Sequence, residues 1–184
     1  MTDSLEKEEN TLPQPYVVDG MKYKMDGNGL RPQNQFTQIA VVYLADGHIK
    51  QFTSGYYDHH LVAISRDGKQ LVMGVNRAEN TDFEFRTPLY VVDIETKQET
   101  VLADEAGYYG GATFSFDNRY VAYVGSDATY KNATHTQLYV YDLETKLTQN
   151  ITEMLDAPVG DLAVADVHQG IDAPAVVWTE TNAL

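Results

Sequence analysis

Ala112-Thr-Phe-Ser115, Tyr120-Val-Ala-Tyr-Val124, Gln137-Leu-Tyr-Val-Tyr141 and Leu147-Thr-Gln-Asn-Ile151 are four short clusters of β-branched and aromatic residues within positions 108–152. Their apolar residues roughly alternate, which suits half-buried strands better than helices. Turn chemistry separates them. Asp117-Asn118 closes the first hairpin and Asp142-Leu-Glu-Thr-Lys146 closes the last. A single four-stranded antiparallel sheet of this kind has two faces to bury and needs neighbours stacked against it. The decisive question is whether the unit repeats.

It does. Leu138-Tyr-Val-Tyr-Asp-Leu-Glu-Thr-Lys146 matches Leu89-Tyr-Val-Val-Asp-Ile-Glu-Thr-Lys97, 49 residues upstream. Phe114-Ser-Phe-Asp-Asn118 matches Ile64-Ser-Arg-Asp-Gly68, 50 residues upstream. A half-unit precedes these: Ile39 to Leu44, then Ala45-Asp46-Gly47, then His48 to Thr53. A period near 50 residues with strand-type patterning predicts an all-β fold, a partial β-propeller. Two complete four-stranded antiparallel blades are expected over 56–103 and 108–152. Partial blades are expected over 16–53 and 159–184, after a disordered lead-in at 1–15. In the first partial blade the strands are read at Met21 to Asp26, Phe36 to Leu44 and His48 to Phe52, with a loop from Gly27 to Pro32. In the last they are read at Val159 to Val164 and Ala175 to Thr179. Two partial blades and two whole ones do not close a ring, so the reading predicts a piece of a longer protein, or copies that associate through open blade edges.

Composition narrows the function. The chain has 184 residues and no cysteine, so disulfides and thiolate metal sites are excluded. A net charge of −14 argues against nucleic acid and anionic membranes as partners. No apolar run approaches a membrane span, and the first ten residues are polar and acidic rather than a signal peptide.

Candidate chemistry is sparse. No Gly-x-Ser-x-Gly elbow is present, and no catalytic residue, cofactor site or metal site is expected. His59 and His60 are adjacent on a strand, so they point to opposite faces and do not converge on one ion. Ser65 and Ser115 are equivalent in the repeat, which points to a hydroxyl bonded to the hairpin backbone rather than a nucleophile. Both blades carry a longer insert between their second and third strands, Asn76 to Pro88 and Gly125 to Thr136. Equivalent inserts emerge on one face, where repeat proteins bind. Arg77 and Arg86 lie in the first insert and are the candidates to face a substrate carboxylate or carbonyl.

The quoted hairpins, Leu89-Tyr-Val-Val-Asp93, Leu138-Tyr-Val-Tyr-Asp142 and Phe114 to Tyr123, resemble the TolB-type propeller repeat, itself related in form to WD40 blades. Asn150-Ile-Thr152 followed by Asp156-Ala-Pro-Val-Gly-Asp-Leu-Ala163 is similar to the late propeller of acylaminoacyl-peptidase-like serine peptidases of the prolyl oligopeptidase family. Tyr23 to Gly29 is similar to an earlier segment of the same enzymes. Asp117-Asn118 departs from the usual Asp-Gly, and Phe or Ile stands where the repeat has Trp. The resemblance implies a cytoplasmic serine peptidase. Its N-terminal propeller gates peptide access to a C-terminal α/β-hydrolase domain that this sequence does not contain, so the chain alone is expected to be inactive. A stand-alone TolB-like scaffold for protein interaction is the alternative. A sugar-active or lactonase propeller ranks last, because the acids lie in turns rather than converging on a ring axis.

Overall fold

The computed structural model describes residues 15–27, 29–31, 35–103, 106–160 and 176–180. The chain divides into two units, 1–33 and 34–184.

In the larger unit the sheets are antiparallel and built from consecutive strands. β5 (His59–Ile64), β6 (Gln70–Val75), β7 (Leu89–Asp93) and β8 (Glu99–Val101) form the upstream blade in that order. β9 (Tyr108–Phe114), β10 (Tyr120–Ser126), β11 (Gln137–Asp142) and β12 (Thr148–Asn150) form the downstream blade in the same way. β3 (Ala40–Val42) and β4 (Ile49–Gln51) pair as a hairpin. The fold is all-β, as the repeat predicts. A single turn of 3-10 helix at Lys131–Ala133 sits in the second insert.

The blades stack because each central strand is apolar on both faces. Leu71, Val72, Met73 and Val75 of β6 are all buried. Alternation sends Val72 toward the downstream blade, where it joins Leu89, Val91, Phe114, Val121 and Tyr123 in one core. The same alternation sends Leu71, Met73 and Val75 the other way, to pack with Tyr90, Val92 and Ile39. Phe52 and Tyr57 border that second core. The upstream blade is thus packed on both of its faces.

Each blade repeats the same local devices. The Ser115 hydroxyl donates to Asp117 Oδ1 at 2.6 Å and accepts from the Tyr120 amide at 2.9 Å. Ser65 does the same with Asp67 at 2.7 Å and with the Gln70 amide at 2.9 Å. The second hairpin of each blade turns on an aspartate whose Oδ1 accepts two amides: Asp93 from Glu95 and Thr96, Asp142 from Glu144 and Thr145. Each turn ends in a left-handed lysine, Lys97 at φ 64° and Lys146 at φ 61°. The β5–β6 and β9–β10 ladders also carry a bulge at equivalent places, between Leu61 and Ala63 and opposite Ala122–Val124.

Polar links join the blades at both ends. Asn118 sits at φ 58°, where the upstream repeat has Gly68 at φ 68°. Its Oδ1 accepts the Arg66 amide at 2.8 Å, and the Arg66 guanidinium lies 3.6 Å from the Phe116 ring centre. This accounts for the Asn at a turn position that otherwise favours Gly. At the opposite end Thr87, closing the first insert, forms a parallel bridge to Tyr108. Its amide donates to the Gly107 carbonyl at 2.9 Å.

Two parts of the sequence reading are corrected. The strand expected from Met21 to Asp26 is only β1 (Lys24–Met25), and it pairs with β2 (Gly29–Leu30) inside the stretch read as a loop. Gly27 and Gly29 adopt φ of 81° and 73°, which turns the chain back at once. Among the described residues β3 pairs with β4 alone, and of Phe36 to Leu44 only Ala40–Val42 is strand. Residues 161–175, which include most of the expected fourth unit, lie outside the described residues. Val176 to Thr179 carries no strand, and Trp178 instead buries its ring beside Tyr120 and donates to the Thr113 carbonyl at 3.2 Å.

Acid should loosen this fold in a defined way. Arg119 donates to Asp142 at 2.9 Å and lies 3.3 Å from Glu144. The Arg119 hydrogen bond, with the two turn amides, holds the Asp142 carboxyl down to about 2, against an ordinary 3.8. A carboxyl depressed in the folded state stabilises fully above its ordinary value, and the contribution is lost as pH falls through about 2. Asp67 and Asp117, lowered first by their serine hydroxyls, and Asp93, lowered first by the Thr96 amide, add to it in the same direction. Stability should therefore fall steadily below pH about 4. Arg119→Gln should return the Asp142 carboxyl toward its ordinary value in a carbon-detected NMR titration. An unmoved Asp142 would place the cause in the turn amides alone.

Candidate functional site

The segment that follows the β3–β4 hairpin and the upstream blade line a cleft of about 200 Å³. Its floor is Met73 and Val92 from the blade and Phe52 from the segment after the hairpin. The polar wall is Arg77, Glu99, Lys97 and His59, with Thr53 and Ser54 beside them.

Arg77 follows β6, and its guanidinium crosses the Tyr90 ring at 4.9 Å to reach Glu99 on the outer strand β8. There it makes a two-pronged ion pair, Nη1 to Oε2 at 2.7 Å and Nη2 to Oε1 at 2.9 Å. That hydrogen bond raises the Arg77 pKa above its ordinary value. Lys97, in its left-handed turn position, sends its ammonium back across the cleft to the Phe52 carbonyl, 3.3 Å from the ring centre of the same residue. Burial, then the charge of Lys50, hold the Lys97 pKa below its ordinary value. Lys97 thereby clamps the hairpin segment to the blade.

His59 opens β5 and is 4 % exposed, whereas His60 faces outward. The two histidines take opposite faces, as strand geometry requires. Burial lowers the His59 pKa, and the Arg77 charge lowers it further. The Tyr57 backbone, by hydrogen bonding, works against that lowering. Among the described residues no group of three or more His, Asp or Glu side chains is placed to hold a metal ion. No helix among them is long and apolar enough to cross a membrane.

Comparison with known proteins gives one close alignment. Over 180 residues the chain is 34 % identical to the uncharacterized peptidase YuxL of Bacillus subtilis (strain 168), an alignment covering 98 % of this chain and 27 % of the relative. This chain is similar to part of a peptidase. It spans about a quarter of that relative's length. No protein-family model matches it. Among solved structures, a TolB from Agrobacterium tumefaciens superposes with a TM-score of 0.49 at 20 % identity, over 63 % of this chain and 38 % of that one. TolB from Acinetobacter baumannii gives 0.46 at 17 % identity, over 61 % and 26 % of the two chains. The tricorn protease gives 0.46 at 19 % identity, over 60 % and 10 %.

The two arginines singled out in the sequence have different surroundings. Arg77 lines the cleft and is engaged with Glu99. Arg86 is half-buried, 3.5 Å from Glu84, and is not among the residues lining the cleft. His59, Lys97 and Glu99 were not legible as site residues. For Lys97 and Glu99 the only sequence signal is that Lys97 ends the repeated Asp-x-Glu-Thr-Lys turn and Glu99 follows it, a cue for a turn rather than for a cleft.

Proposed function

We propose that this chain is the propeller segment of a cytoplasmic serine peptidase of the prolyl oligopeptidase or acylaminoacyl-peptidase type. In this reading it gates peptide access to an α/β-hydrolase domain carried elsewhere in the same polypeptide. The observation that carries the reading is the 34 % identity over nearly the whole chain to a peptidase several times its length. The stacked four-stranded blades support it. They form a rigid scaffold, and their second-to-third-strand inserts lie at the same end of adjacent sheets. Arg77 and Arg86 remain the residues proposed to face the peptide.

The chemistry belongs to the hydrolase domain. The propeller contributes no nucleophile and acts by position, admitting extended peptides and excluding folded chains. The test is the natively expressed gene product, its intact mass measured before and after treatment with a fluorophosphonate. A product of several hundred residues that gains one label, on a serine outside these 184 residues, is expected. A product near the size of this chain that takes no label would overturn the reading and leave an interaction scaffold whose blade edges a partner or a second copy covers.

A further inference from the structure

The cleft presents two cationic side chains, Arg77 and Lys97, against one carboxylate, Glu99. Both Glu99 oxygens are taken by Arg77. A guanidinium carries five N–H groups, so Arg77 keeps donors beyond those it gives Glu99 and Tyr90. Lys97 gives one N–H to the Phe52 carbonyl and forms no ion pair among the described residues. The nearby charge of Lys50 adds to the positive field at Lys97. In a chain of net charge −14, a hollow with an unneutralised ammonium and spare N–H groups is an exception to the surrounding field. Its floor is apolar, and about 200 Å³ holds a carboxylate on a short aliphatic stem.

We infer that this cleft binds the carboxylate of a peptide, with Lys97 and the outer N–H groups of Arg77 on its oxygens and its stem over Met73 and Val92. The choice of a peptide as bearer rests on the peptidase reading; the demand for a carboxylate rests on the Lys97 ammonium without an ion pair among the described residues and on the spare Arg77 N–H groups. A C-terminal carboxylate and an acidic side chain share this chemistry. The cleft then acts as a subsite that holds one end of a peptide against the propeller.

The test uses the 184-residue chain in amide-detected NMR titrations. The probes are N-acetyl-alanyl-leucine as the free acid, the same dipeptide as its C-terminal amide, N-acetyl-glutamate amide, and inorganic phosphate. The free acid should shift the amides of Thr53, Ser54 and Lys97 saturably, and the dipeptide amide should not. A response to N-acetyl-glutamate amide as strong as to the free acid assigns the site to acidic side chains; a weaker one assigns it to the C-terminus. Raising salt from about 50 to about 500 mM should weaken binding severalfold. Lys97→Met should weaken it at least about tenfold, and Arg77→Lys by only about threefold. If Lys97→Met releases the hairpin, the acid-against-amide comparison on the unaltered chain still decides. Equal shifts from acid and amide, no saturable shift, unaltered affinity in Lys97→Met, or phosphate binding as tightly as the acid would each overturn the proposal. A gene product that labels on serine while this cleft ignores carboxylates overturns the subsite only. Saturable binding with no serine label keeps the carboxylate site and removes the peptidase.

Discussion

Leu89→Ala should destabilise the chain by about 3 kcal/mol. Leu89 is 1 % exposed and opens β7 within the core shared by the two blades. It shares that cluster with Val72 on its own blade and with Val121 and Tyr123 on the next. Backbone bonds at the same place resist collapse into the gap. The Leu89 carbonyl accepts the amides of Leu102 and Ala103 at 2.8 and 3.2 Å, so the strand cannot slide inward to fill it. Ile64→Ala is the control, because Ile64 is 55 % exposed and its truncation should cost well under 1 kcal/mol. Urea unfolding of both variants gives the comparison. A Leu89→Ala loss below about 1 kcal/mol would mean that the blades do not share this core.

The second large effect is expected at Ser115→Ala, about 2 kcal/mol. Ser115 is fully buried, and its hydroxyl satisfies the Tyr120 amide while holding Asp117. Alanine fills nearly the same space but leaves that amide without its acceptor, and a buried orphan donor costs more than an average hydrogen bond contributes. The same change frees Asp117, whose carboxyl is lowered first by this hydroxyl, so its pKa should rise toward the ordinary value. Ser65→Ala should behave alike, since its bonds to Asp67 and Gln70 match within 0.1 Å. Urea midpoints and side-chain carboxyl NMR read both effects. An unmoved Asp117 in Ser115→Ala would show that the amide of Arg119, which donates to Asp117 at 3.0 Å, holds the carboxyl alone.

The blades were legible in the sequence because their information is local and repeated. Alternation set the strands, Asp and Asn or Gly set the tight turns, and the shared Asp-x-Glu-Thr-Lys run set the last hairpin of each unit. The Ser65 and Ser115 hydroxyls were readable for the same reason, since a role that recurs at one place in a repeat is a role in the repeat. The cleft was not readable. Arg77 and Glu99 meet only because β7 lies between the strands that precede and carry them, 22 positions apart in sequence. Lys97 looks like an ordinary turn lysine, and nothing in its neighbours announces that its ammonium will lie on Phe52, 45 positions away. The Lys24–Met25 pairing was misread for a different reason. Two glycines at positive φ closed a hairpin too short to show alternation.

The bond from Asn118 to the Arg66 amide runs one way. Gly68 holds the matching place in the upstream repeat and has no side chain with which to reach anything before it. Units that look interchangeable along the sequence are therefore keyed, each cut to fit a particular predecessor. A duplicated or transposed unit would bring the right strands and the wrong joint. Such a protein can lengthen by adding blades only if each new one acquires its own key.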